Sequence, residues 1–159
     1  MEVKIKRLNE NAVLPQKATE LSIGYDLYVP NDVRIEHERQ VIPLGFAIEL
    51  PPCIEAKIEP RSGFSSKGIE GFLTGYSKEP QYMQRFDADV LVGKIDPDYR
   101  GEVGVIIRNN DPQREFLISQ GTRIAQMTFY KTMDLDVVEA EELSDTARGV
   151  GGFGSTGAK

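Results

Sequence analysis

Val41-Ile42-Pro43-Leu44-Gly45-Phe46-Ala47-Ile48-Glu49-Leu50 carries a large apolar side chain at every even position, with Pro43, Gly45 and Glu49 at odd ones. A period of two belongs to a strand with one buried face, because successive side chains leave a pleated backbone on opposite sides. The period recurs outward in both directions. Ile54, Ala56 and Ile58 alternate with Glu55, Lys57 and Glu59; Val103, Val105 and Ile107 share a face; Val3 and Ile5 open the chain in the same way. Arg123 to Phe129 is more evenly apolar and reads as a strand covered on both faces. Pro30-Asn31-Asp32, Pro51-Pro52, Asp96-Pro97-Asp98 and Asn109-Asn110-Asp111-Pro112 supply turns between these runs. Short strands punctuated in this way predict an all-β sandwich or barrel. No segment carries a long helical stripe. Ser62 to Lys67 and part of Ser77 to Phe86 are the best short helix candidates.

Composition narrows the function classes. A chain of 159 residues fits one domain and buries roughly 68–70% of its unfolded surface without staples. Apolar residues at 40% and charged residues at 28% suit a globular protein. One cysteine, Cys53, allows no internal disulfide and no cysteine-built metal site, and one histidine, His37, allows no His-rich zinc centre. Cys53 reads as packing, and His37, among Glu36, Glu38 and Arg39, as solvated surface. A net charge of −6 argues against tracking a nucleic-acid polymer, which needs a basic stripe. No apolar run reaches the ~20 residues of a membrane helix, and Met1 to Lys6 lacks a signal-peptide core. The expectation is a cytoplasmic protein in a reducing compartment.

Five segments carry groups suited to chemistry. Arg148-Gly149-Val150-Gly151-Gly152-Phe153-Gly154-Ser155-Thr156-Gly157 combines glycines, whose amides can approach phosphate oxygens, with hydroxyl donors and an arginine fork. It is no Walker loop, since no lysine precedes the serine. A flexible tail is the plainer reading, but Phe153 is unusual in a linker and can stack on a base. Pro60-Arg61-Ser62-Gly63-Phe64-Ser65-Ser66-Lys67-Gly68 follows a strand and can form an anion nest or a plain solvated loop. Gly93-Lys94-Ile95-Asp96-Pro97-Asp98-Tyr99-Arg100-Gly101 sets two carboxylates and a tyrosine at a turn; a carboxylate there can serve as general base, or the turn can be an ordinary one. In Ser22-Ile23-Gly24-Tyr25-Asp26-Leu27-Tyr28, Asp26 can meet a hydrated Mg²⁺. In Gly121-Thr122-Arg123-Ile124-Ala125-Gln126-Met127, Gln126 is a polar residue among apolar ones and requires a partner if buried.

In chain order, these five segments resemble the five motifs of the trimeric deoxyuridine triphosphatases, the dUTP pyrophosphatase family, over residues 22–157. The third and fifth are the most specific. The resemblance implies a jelly-roll-like β subunit over residues 1–147, a C-terminal arm over 148–159, and a homotrimer with three shared sites. One subunit supplies the base pocket, a second the phosphate contacts and a third its arm. The implied reaction converts dUTP to dUMP and pyrophosphate, lowering dUTP and supplying dUMP for thymidylate synthesis. By the same resemblance Asp96 orients the attacking water, and Gln126 lies near the α-phosphate. Tyr99 packs under the deoxyribose and excludes a 2′-hydroxyl. A hairpin around Val90, Gly93 and Ile95 reads uracil through its backbone. Arg61, Ser62 and Gly63 contact phosphates, and Asp26 reaches a substrate-borne Mg²⁺ through water. Arg148, Phe153, Gly154, Ser155 and Thr156 form the arm's clamp and stacking ring.

The chain departs from the family pattern in places. Ser22 and Ile23 stand where small alanines are usual, Phe64 and Ser65 replace Leu and Ala, and Lys94 replaces an apolar residue. The stretch between the second and third motifs is longer than usual, with the extra residues at about 71–86. Phe72, Tyr76, Tyr82 and Phe86 make that segment aromatic, so it is expected to be ordered, partly helical over 77–86 and packed near the base pocket. The same segment is where a regulatory protein partner would engage. Two rivals share the fold: a dCTP deaminase, which needs an acid or base aimed at the base ring, and a binding module that no longer needs Asp96.

Overall fold

The computed structural model describes residues 1–152, and these form a predominantly β domain of antiparallel sheets. Strands β1 (Lys4–Arg7), β5 (Arg39–Glu49), β11 (Glu102–Asn109) and β9 (Ala88–Leu91) make one sheet, in the order β1-β5-β11-β9. A second sheet runs β10 (Gly93–Ile95), β6 (Ile54–Glu59), β13 (Arg123–Lys131), β3 (Tyr25–Tyr28), β2 (Gln16–Lys17). A third runs β4 (Val33–Ile35), β12 (Phe116–Ile118), β7 (Ile69–Leu73), β8 (Met83–Phe86). Their apolar faces meet in one core that draws Phe46 and Ile107 from the first sheet, Ile58 and Met127 from the second, and Ile35 and Phe116 from the third. This is the jelly-roll-like architecture expected.

The decisive alternation survives in β5. Ile42, Leu44, Phe46 and Ile48 are all buried, as is Leu50 just beyond the strand. A bulge interrupts the strand without exposing them. Between Glu102 and Gly104 the β11 register jumps from Ala47 to Pro43, and Gly45 sits at φ +76° opposite the break. A left-handed residue in a bulge favours glycine, and a Cβ there would lie 2.8 Å from Asn9 Cβ. The Gly45 carbonyl accepts the N–H groups of Leu8 and Asn9, which fixes the kink from the N-terminal side.

The helix expected at Ser62 to Lys67 forms as α1 (Ser62–Lys67), with Phe64 buried beneath it. The second expectation, that part of 77–86 is helical, is met only by a short turn. Over 77–86 only Pro80–Tyr82 is helical, as a single 3₁₀ turn, and Met83–Phe86 is strand β8. Pairing decides it: Ile69, Glu70, Gly71 and Phe72 of β7 face Phe86, Arg85, Gln84 and Met83. Phe86 then stacks on Phe116 at 4.3 Å with the rings 8° apart. The excursion is thus a β-hairpin tip on the third sheet. After β13 the described tail adds no strand, and it exposes Met133, Leu135, Val137, Val138, Leu143 and Val150.

Candidate functional site

The second sheet holds a polar row on one face. Gln126 of β13 lies opposite Asp26 of β3 on one side and Glu59 of β6 on the other, and directly opposed residues share a face. Asp26 is buried, at 5% exposure. A carboxylate so withdrawn from water needs paired charge. Arg61 Nε donates to its Oδ1 at 2.8 Å and Arg123 Nη1 to its Oδ2 at 3.1 Å. A register shift between Arg123 and Ala125 accompanies that reach. Gln126 finds the partner its setting requires: its Nε2 donates to Pro60 O at 3.2 Å, leaving one amide hydrogen for a ligand. Thr128 Oγ1 donates to Glu59 Oε2 at 3.1 Å. Asp26, Glu59, Arg61, Ser62, Gly63 and Gln126 together line a cavity of about 620 Å³.

A second cavity, about 250 Å³, opens where β10 passes into β11. Val41, Ile58, Val103 and Ile106 supply apolar walls, and Gly93, Lys94, Ile95, Asp96, Tyr99 and Glu102 supply polar backbone and side chains. The turn at its rim closes through the Tyr99 N–H donating to Asp96 O at 3.1 Å, with Pro97 at a position that suits its fixed φ. Arg100 Nη1 donates to Pro97 O at 2.6 Å and to Tyr99 O at 2.9 Å, tying the turn together. The departure at Lys94 is absorbed outside the cavity chemistry: its Nζ donates to Glu55 Oε2 at 2.8 Å. That contact lifts the Lys94 ammonium above its ordinary value and holds Glu55 below the usual carboxylate range.

The predicted residues therefore fall into two groups. Gly93, Ile95, Asp96 and Tyr99 share the smaller cavity, Asp26, Arg61, Ser62, Gly63 and Gln126 share the larger, and the two have no lining residue in common. Val90 belongs to neither. It is buried in β9 opposite Ile107, and β9 and β10 join different sheets, so Val90 to Ile95 is not a hairpin. Residues 96–101 form a tight turn that carries the chain from β10 in the second sheet to β11 in the first. Arg148 lies on the exposed tail, its Nε donating to Gly151 O at 2.8 Å. Phe153, Gly154, Ser155 and Thr156 lie outside the described residues.

The β7–β8 hairpin stands apart from the smaller cavity within this chain. None of residues 71–86 lines the smaller cavity. Arg85 of β8 instead enters a cleft of about 420 Å³ with Arg61, Lys67 and Arg123, where it pairs with Glu70 at 2.5 Å. Sequence reasoning gave no role to Arg123, Glu59 or Glu102. Only strand pairing brings Arg123 to Asp26. A hint lay in the polar residues of otherwise apolar strands, which must find partners.

A dUTPase family model matches residues 10–75 and 83–157, passing over the tip of the β7–β8 hairpin. A deoxyuridine 5'-triphosphate nucleotidohydrolase of Hydrogenobaculum is 42% identical over 161 residues, covering 100% of each chain. Among solved structures, the dUTPase of Staphylococcus bacteriophage 80alpha with dUPNHPP is 26% identical and superposes with a TM-score of 0.80 over 98% of both chains. A mutant dUTPase of S. aureus phage phi11, described with a coordinated structural Mg(II) ion, shares the fold at 22% identity and a TM-score of 0.72, covering 89% of this chain and 98% of that one.

Proposed function

The chain belongs to the dUTPase family, and from that premise we propose that it hydrolyses dUTP to dUMP and pyrophosphate in sites assembled from several copies of itself. The carrying observation is the separation of the two groups: Asp96 and Tyr99 line one cavity, and Arg61 and Gln126 another that shares none of its walls. A base-and-sugar pocket from one subunit set against the phosphate-binding wall of a second supports a homotrimer with shared sites. The described tail beyond β13, with six large apolar side chains exposed, supports an arm that reaches a neighbour.

In this reading uracil enters the smaller cavity and meets the backbone of β10, with Tyr99 beneath the sugar. Asp96 holds a water and accepts its proton as the oxygen attacks the α-phosphorus. The bond from that phosphorus to the bridging oxygen breaks, and its electron pair leaves with pyrophosphate. Phosphoryl transfer asks mainly for position and charge neutralisation. Arg61 and the free amide hydrogen of Gln126 supply part of this, and Arg148 and Phe153 with Gly154, Ser155 and Thr156 close the site against water.

The donor set bears on the metal. Among the described residues no group of three or more His, Cys, Asp or Glu could hold an ion, and both Asp26 oxygens are engaged by arginines. That fits a Mg²⁺ carried on the triphosphate and touching Asp26 only through water, since Mg²⁺ keeps several waters and prefers phosphate oxygens. When bound it would offset charge on the phosphates. The product, dUMP, would feed thymidylate synthesis, and the cytoplasm is the proposed location.

Pyrophosphate release from dUTP, dTTP, dCTP and UTP tests the reading, with Asp96→Asn alongside. Release from dUTP alone is expected, with kcat for Asp96→Asn lower by about 10²–10⁴-fold and dUTP affinity little changed. Ammonia release from dCTP, or Asp96→Asn turnover near that of the parent, would overturn it.

A further inference from the structure

We propose that Gly101 and Glu102 are positioning residues for Tyr99, and that through it they set the preference for deoxyribose over ribose; this rests on the sugar-excluding role proposed for Tyr99. Tyr99 is 44% exposed, so core packing does not hold its ring. The backbone after it does. The Tyr99 hydroxyl donates to Glu102 O at 2.9 Å. The ring folds back over residue 101, where a Cβ would lie 2.3 Å from Tyr99 Oη, 2.5 Å from Cζ and 2.9 Å from Cε2. Those three atoms are the nearest to that point, so only a residue without a side chain leaves the ring its seat.

Glu102 carries the seat to the core of the fold. Its Oε1 accepts the Gly45 N–H at 2.7 Å, at the left-handed kink of β5 where the β11 register shifts. Leu8 and Asn9 donate to Gly45 O from the other side. A continuous path of hydrogen bonds therefore runs from a buried central strand through Glu102 to the phenol. A ring that excludes one hydroxyl works only if it cannot retreat by about an atom's width. The anchor supplies that restraint to a ring at the exposed rim of its cavity.

Gly101 allows a clean test because its φ is not in the left-handed region. Alanine there meets the tyrosine and suffers no backbone penalty. kcat/KM for dUTP and for UTP is measured in the parent protein and in Gly101→Ala, Tyr99→Ala, the double variant, Glu102→Ala and Glu102→Gln, with melting temperatures alongside. Gly101→Ala is expected to lower the dUTP/UTP ratio by about 10-fold or more, the scale on which a misfitted methyl-sized group is felt, and to melt with the parent. In the Tyr99→Ala background the same change should leave the ratio unmoved, because the cycle isolates the coupling between the two positions. Glu102→Ala should lower the ratio, and Glu102→Gln should restore it, since an amide oxygen still accepts the Gly45 N–H. If Tyr99→Ala leaves the ratio unchanged, the sugar reading of Tyr99 itself fails. If Tyr99→Ala lowers it but Gly101→Ala does not, or if Gly101→Ala acts equally with and without the ring, the positioning role is overturned.

Discussion

Asp26 and Asp32 show how differently one residue type is used on this chain. Asp26 is buried between two arginines and belongs to the candidate site. Asp32 is a surface latch: Lys78 from the β7–β8 tip donates to its Oδ2, and the Gln120 N–H donates to its Oδ1 at 2.9 Å. The lysine first, and the amide next, hold its carboxyl below the ordinary 3.8. Both favour the ionised form in the folded protein, so the latch contributes fully above pH 3.8 and is lost as pH falls through the lowered folded value. Lys78→Met should move the Asp32 carboxyl titration, followed by ¹³C NMR, up toward 3.8. The melting-temperature difference between parent and variant should shrink in acid. A titration that does not move would show that the lysine is not what depresses it. The pair is exposed on both sides, so its effect on stability is small. The sequence placed Asp26 among the site residues and Asp32 in a turn, but the partners of neither were legible locally, because Arg61 and Arg123 for the one and Lys78 and Gln120 for the other lie far along the chain.

At the scale of elements, the β7–β8 hairpin is where local reading and structure part most clearly. Aromatic content correctly implied order, since such side chains offset their own ordering entropy when they bury. It did not say which secondary structure would result. Pro80 starts a helical turn, but the backbone of Met83–Phe86 pairs with β7, and Phe86 fills the third sheet's core against Phe116. Phe86→Ala removes a side chain that is only 1% exposed and should cost about 3–5 kcal/mol in urea denaturation. Tyr82→Ala, at the exposed tip, should cost far less. Comparable losses from the two would mean that the tip, not the ring stack, anchors the hairpin. The short helix α1 was legible beforehand because it needs only the few residues it contains.

At the scale of the whole molecule, a net charge of −6 coexists with a cleft holding Arg61, Lys67, Arg85 and Arg123. The fold gathers cations from positions no linear scan connects, so acidity overall is compatible with an anionic substrate. The proposed sharing of sites between subunits makes a distinct prediction. A chain deleted from Arg148 onward loses no described strand and no described core residue. It should assemble and melt normally while losing most turnover. Mixed with Asp96→Asn chains under proven subunit exchange, it should regain part of the activity, because a mixed trimer can join an intact Asp96 to an intact arm. No regain would assign each arm to its own subunit.

The sequence by itself determined the β class, the turns, α1, the motif order and, through that order, the family. These depend on steric preferences and side-chain alternation among near neighbours, which a linear pattern records directly. Only the tertiary structure decided that Asp26 is held by arginines 35 and 97 positions away, that Val90 belongs to the core, that β8 is a strand, and that Glu102 anchors to Gly45. Each of these follows from which strands pair and in what register. Register is set by the packing of whole sheets, and a one-residue slip would turn every one of those side chains to the opposite face.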